Sequence, residues 1–135
     1  MVLTGRVLVD GSGTGPLLRL DEPLSFWGGV DPITGTIIDA RHPQRGRSIA
    51  GTVLALPAAR GSSSSSSVLL ELVAQGKAPA AILLGEADAI LALGAVVARE
   101  MGWTPPAMLE LATAAQAALP AGTIRVEAGG RIESA

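Results

Sequence analysis

Ser62 to Ser67 form a run of six serines, entered through Arg60-Gly61 and left directly into Val68-Leu69-Leu70-Glu71-Leu72. Such a run is ordinarily a flexible linker. Here an apolar segment, Thr52 to Leu56, lies just upstream and an amphipathic one starts at once downstream, so there is little for a linker to join. One serine suffices to cap a helix, because its hydroxyl accepts a bond from an unpaired N–H of the first turn. Several hydroxyls and N–H groups at the positive end of a helix do more. Placed behind a glycine that lets backbone approach a ligand and behind the cation of Arg60, they make a site for a carboxylate or another oxyanion. The same electropositive surroundings lower the cost of a serine alkoxide, the form a serine needs to take a proton from carbon.

Other groups carry weaker chemistry. Gly28-Gly29-Val30-Asp31-Pro32 reads as a tight turn in which glycine supplies unusual dihedrals and Asp31 caps. Asp10-Gly11-Ser12-Gly13-Thr14-Gly15 has the look of a phosphate loop, but Pro16-Leu17-Leu18-Arg19-Leu20 opens no helix and no Gly-Lys-Ser/Thr follows. It reads as a structural turn. His42, the single histidine, precedes Pro43 and lies between Arg41 and Arg45, which suits a loop residue or partner contact better than a base. Glu71, one turn into the helix, reads as a solvated carboxylate.

These residues need a frame. Short apolar runs at Val7 to Val9, Leu24 to Trp27, Thr36 to Ile38 and Thr52 to Leu56, separated by Gly, Pro and Asp, read as strands. From Ser62 the period changes: Val68, Leu69, Leu72 and Val73 predict a helix of about three turns stopped by Gly76. Ala80 to Leu84 reads as a buried strand, Ala87 to Met101 as an apolar helix, Met108 to Leu111 as a strand or connector, and Ile124 to Val126 as a final strand. Strands alternating with helices predict an α/β fold, a partly parallel sheet covered by helices after short N-terminal strands. A length of 135 residues fits a single domain, 1–135.

Composition closes off several functions. Hydrophobic residues make up 48% and charged residues 16%, so the chain folds, yet aromatics are only 2% and the mean hydropathy is +0.44. A small domain cannot hide that much apolar surface alone, which suggests a partner. A net charge of −2 and few aromatics leave neither a basic patch nor a stacking platform for nucleic acid. With no cysteine and one histidine, the chain offers no metal site of its own. The apolar stretch around Ala89 to Ala98 is too short to span a bilayer and no signal-like run precedes Asp10, so a cytoplasmic protein is expected, with no membrane contact.

One longer pattern is specific. Ser25-Phe26-Trp27-Gly28-Gly29-Val30-Asp31-Pro32-Ile33-Thr34-Gly35-Thr36-Ile37-Ile38-Asp39, then His42-Pro43, Gly46, Ser48 and Gly51, then Arg60-Gly61 with the serines and Leu70-Glu71-Leu72, then Ala78-Pro79-Ala80-Ala81-Ile82, resembles the small-subunit family of aconitase X over about residues 3 to 130. The resemblance implies a swivelling β/β/α domain that closes over a larger catalytic subunit carrying an iron–sulfur cluster or metal ion. It implies dehydration of a hydroxy acid, either cis-3-hydroxy-L-proline to a pyrroline carboxylate or mevalonate 5-phosphate to its anhydro product. The serine-rich segment and the Ala/Arg-rich composition favour the first. By the same resemblance Ser62 is the base, Ser63 and Arg60 hold the substrate carboxylate, Gly61 and Ser64 also bind substrate, and Trp27, Gly28, Gly29 and Asp31 add second-rank contacts. A non-catalytic module whose serine loop merely holds an anion is the alternative.

Overall fold

The structure, a computed structural model, describes residues 1–61 and 63–135. The chain runs β1 (Val2–Thr4), β2 (Arg6–Val9), β3 (Gly13–Arg19), β4 (Leu24–Ser25), α1 (Phe26–Gly29), β5 (Val53–Leu56), β6 (Ala59–Arg60) and α2 (Ser64–Ala74). It continues through β7 (Ala81–Leu84), α3 (Ala89–Glu100), β8 (Ala107–Glu110), α4 (Thr113–Ala117), β9 (Thr123–Glu127) and β10 (Arg131–Ser134).

Eight strands form one sheet in the order β1-β10-β9-β3-β5-β7-β8-β2. The central four are parallel, in register Leu54↔Ile82↔Met108 across β5, β7 and β8. The flanks are antiparallel. β1 and β2 end the order on opposite sides, yet Gly5 alone separates them in the chain, so the sheet curls until its edges meet. Gly5 fits this seam because a Cβ there would lie 2.9 Å from Leu109 Cβ, and its N–H reaches Gly130 O at 2.9 Å.

Strand alternation then sorts the core in two. Val53, Ala55, Ala81, Leu83, Ala107 and Leu109 join Ile124, Val126 and Ile132 inside the curl, where small residues suit the narrow interior. Leu54, Leu56, Ile82, Leu84 and Met108 face outward beneath Val68, Leu69 and Leu72 of α2 and Leu91 and Ala95 of α3. Burial on both faces makes β5 and β7 unbroken apolar runs, which is why the sequence betrays them. Because β5, β7 and β8 are parallel, α2 and α3 both start at the edge formed by the strands' C-terminal ends, where α/β sheets place their ligands.

The expected α/β architecture is present, with differences in detail. Of the turn read at Asp10 to Gly15, only Asp10 to Ser12 connects β2 to β3; Gly13 and Gly15 stand in β3, where a Cβ would come within 2.2 Å of Ala80 O and 2.1 Å of Gly51 O. The strand read at Leu24 to Trp27 stops at Ser25, and the chain kinks at Trp27 (φ −76, ψ 115) and Gly28 (φ 79). Thr36 to Ile38 contributes only isolated bridges, Val30↔Ile37 and Thr36↔Ser48. β1, β10 and α4 carry no sequence signal that marks them, being short or polar on one side.

Candidate active site

The connection from β3 to β5 and the start of α2 meet at the ligand edge. β4 pairs in parallel with β6, Leu24↔Ala59 and Ser25↔Arg60, so Ser25 lies beside the entrance to the serine segment. Ser25 Oγ donates to Trp27 O at 2.8 Å and so fixes the kink of α1. Gly61 follows with φ +128, a conformation that L side chains rarely adopt. Its missing side chain is also a matter of space, since a Cβ would sit 2.8 Å from Ser25 Oγ and 2.9 Å from Ser65 Oγ. Glycine is thus held between two hydroxyls, on backbone that only glycine takes easily.

Among the described residues the cap position of α2 adds no side-chain bond. Ser63 is already helical (φ −54, ψ −19) and makes no side-chain cap bond, while Ser66 Oγ turns back to donate to Ser63 O at 2.8 Å. Ser65 is buried, 3% exposed, and among the described residues its hydroxyl has no hydrogen-bond partner. A buried hydroxyl without a partner costs free energy, so its place next to Gly61 singles it out as a candidate site group. Among the described residues no carboxylate pairs with the exposed Arg60 guanidinium, which leaves its charge for an anion. This helix start suits binding of a carboxylate, and hydroxyls beside a cation suit proton transfer.

The position of α2 is set from behind. Gly94 of α3 faces Ser66: a Cβ at Gly94 would lie 2.6 Å from Ser66 O and 3.0 Å from Ser66 Cα. Those are backbone atoms, so no rotamer change would relieve the clash. Leu72 and Leu69 bury the other side of α2 in the outer core.

A profile described as the aconitase X swivel domain matches residues 2–133. The chain belongs to the aconitase X swivel domain family. The swivel domain is 56% identical over 100 residues to cis-3-hydroxy-L-proline dehydratase of Pseudomonas aeruginosa, covering 74% of this chain and 17% of that protein. It therefore spans only about a sixth of that relative's length. It is 51% identical over 98 residues to the phosphomevalonate dehydratase small subunit of Thermococcus onnurineus, covering 73% of this chain and 75% of the relative. Among solved structures, the crystal structure of Thermococcus kodakaraensis aconitase X (holo-form) superposes with a TM-score of 0.85 at 38% identity, covering 98% of this chain and 97% of that one.

Within the swivel domain, the structure brings Arg60, Gly61, Ser63 and Ser64 to the start of α2 and places Trp27, Gly28 and Gly29 on the neighbouring kink. Trp27 is 60% exposed, and a side chain at Gly28 would meet open space. Gly29 is buried between Leu24, Ser25 and Asp39. Asp31 lies further along the loop, where its Oδ1 takes Ile33 N at 2.9 Å and its main chain closes the turn with Gly35 and Thr36. None of these bonds runs to the serine segment. Ser62, the expected base, lies outside the described residues.

His42 serves the loop's structure. Its Nδ1 accepts Gln44 N at 3.1 Å, and Gln44 ties Asp21 N and Arg19 O to the loop. Glu71 accepts a bond from Gln75 Nε2 at 2.8 Å on the helix surface. Three residues escaped sequence reasoning. Ser25 pairs across 35 positions of chain, Ser65 is one serine among six, and Gly94 sits inside a helix, so only the fold shows what each touches. Among the described residues no three His, Asp or Glu side chains group as metal ligands, and no helix is long and apolar enough to cross a membrane.

Proposed function

We propose that this chain, residues 1–135 acting as one swivelling domain, is the small component of a two-piece, cytoplasmic aconitase X-type hydro-lyase. The observation that supports the reading is the start of α2: Arg60 and a positive-φ Gly61 lead directly into serines at the positive end of a helix. Arg60, Gly61, Ser63 and Ser64 hold the substrate carboxylate, and Trp27, Gly28, Gly29 and Asp31 shape the wall beside it. Ser62 takes the proton from the carbon next to the carboxylate. The electron pair left behind becomes a carbon–carbon double bond, and the hydroxyl on the adjacent carbon leaves as water with a proton from an acid on the large subunit. An iron–sulfur cluster or metal ion belongs to that subunit in this reading. The residues of this chain do not fit one, having no cysteine and no described ligand cluster.

The substrate we favour is cis-3-hydroxy-L-proline, giving Δ1-pyrroline-2-carboxylate once the enamine shifts. The 56% identity to a dehydratase of that name supports it. Phosphomevalonate dehydratase small subunit is the second reading, favoured by a match along 75% of such a relative's own length. An anaerobic assay of the chain, alone and with the aconitase X large subunit of the same organism, against cis-3-hydroxy-L-proline and mevalonate 5-phosphate separates them. Turnover is expected only in the mixture, and Ser62→Ala is expected to lower kcat by about a hundredfold to ten-thousandfold with assembly intact. Activity indifferent to Ser62 would leave an anion-binding module.

A further inference from the structure

The apolar side chains of α3 divide between two faces. Leu91, Ala95 and Ala98 are buried, whereas Ile90, Leu93 and Val96 are 41%, 55% and 43% exposed. Ile90 and Leu93, with the half-buried Val97, recur at i, i+3 and i+7, one stripe of the helix. A single exposed aliphatic residue is ordinary, but a contiguous stripe marks a contact surface. The stripe does not stop at α3. Leu93, Gly94 and Val97 line a groove of ≈ 170 Å³ whose other wall is Ser66, Ser67 and Leu70 of α2. In α1 and the loop after it, Trp27 and Ile38 are exposed at 60% and 47%, and Ile38 N is held by Gly29 O. Both α1 and α3 adjoin the serine helix, so apolar side chains stand exposed on each of its neighbours, as at a site that is closed by something pressed over it.

We infer that the stripe Ile90, Leu93 and Val97, continued by Leu70, is the surface on which the catalytic large subunit seats. This rests on the function proposed above, and two observations choose the occupant. Relatives occur as a small subunit and as 17% of a far longer dehydratase chain, so a larger piece adjoins this fold in either arrangement. The stripe also runs into the groove of Ser66 and Ser67, beside the helix start that the larger piece must cover to expel water and supply the acid. A second copy of this chain would bury the same aliphatics but would not be the larger piece that adjoins this fold in its relatives.

The test is binding. The wild-type chain, Ser62→Ala, Leu93→Asp and Ile90→Lys would each be titrated against the aconitase X large subunit of the same organism in sedimentation velocity. Circular dichroism of each free chain would check the fold, and Leu93→Gln would stand in should the aspartate disturb α3. Wild type and Ser62→Ala are expected to bind alike, while Leu93→Asp weakens the complex by about a hundredfold and Ile90→Lys by about tenfold, as loss of a central and a flanking apolar anchor does. Unchanged affinity in both folded α3 variants would overturn the surface and leave the dehydratase reading standing. A wild-type chain that forms no complex would overturn both. Self-association that Leu93→Asp abolishes, with the heteromeric complex untouched, would give the stripe to a second copy and overturn the inference.

Discussion

α2 and α3 start at the same edge of the sheet and pack against one another, yet their starts are finished differently. Ahead of α3, Asp88 is extended (φ −132, ψ 104) and its Oδ1 takes Leu91 N at 2.9 Å, satisfying one of the unpaired first-turn donors. Ahead of α2, among the described residues, Ser63 is helical and makes no side-chain cap bond, Ser66 bonds backward to Ser63 O, and Ser65 buries a hydroxyl with no partner. Serines selected to start a helix would do what Asp88 does. The contrast teaches that α3 is a finished element of the scaffold, whereas the polar start of α2 is where the proposed ligand site lies, held in place by that neighbour.

The most damaging way to break that arrangement is to separate the helices. Gly94→Val would force side-chain carbon into Ser66 backbone that already lies 2.6 Å from the Cβ position. Overpacking of this kind is expected to cost about 3 kcal/mol. Urea denaturation of the free chain reads it, and an unshifted midpoint would mean that α3 does not fix the first turn of α2. The caps come next. Asp88→Ala is expected to cost about 1 kcal/mol. Ser63→Ala should stay within about 0.5 kcal/mol, as for a residue that caps nothing. Equal losses at the two positions would erase the distinction between the two starts.

The sequence exposes what is periodic and hides what is paired at a distance. β5, β7, α2 and α3 are readable because burial on both faces, or on one helical face, writes itself into runs such as Val53-Leu54-Ala55-Leu56 and Ala81-Ile82-Leu83-Leu84. β3 is concealed by Gly13, Gly15 and Pro16, residues that normally end strands and here permit backbone to approach Ala80 O and Gly51 O. Closure of the sheet through Gly5 follows from topology and has no local signature. At the site, Arg60, Gly61 and the serines declare themselves by type and order. Ser25 does not, since its role depends on the register Ser25↔Arg60, nor does Ser65, whose burial sets it apart from Ser63, Ser64, Ser66 and Ser67.

Ser65 also sharpens the contrast through an effect of opposite sign. Removing a buried hydroxyl that has no partner relieves its desolvation and leaves only a small void, so Ser65→Ala is expected to stabilise the free chain by about 0.5 kcal/mol. Thermal unfolding of the free chain measures it. A loss of stability instead would show that the hydroxyl serves the fold, and α2 would then start as a structural element like α3.

The smallest effect concerns how α3 is anchored just before its cap. Glu110 Oε1 accepts Arg6 Nε at 2.8 Å, and Oε2 accepts Ala87 N at 3.1 Å, one residue ahead of Asp88. The Arg6 hydrogen bond, helped by the Ala87 N–H, holds the Glu110 carboxyl below the usual carboxylate range. A lowered folded pKa means that the ionised form is favoured by folding. Its contribution is therefore complete above the ordinary glutamate value of about 4.3 and fades as pH falls through the lower folded value. The pair is exposed and screened, so the contribution is slight. Glu110→Gln should accordingly be a little less stable than wild type at pH 7, the two converging well below pH ~4. Urea midpoints measured across that range in low salt read the difference. A gap that persists undiminished in acid would mean that Glu110 supports the entry to α3 through its hydrogen-bond geometry rather than through its charge.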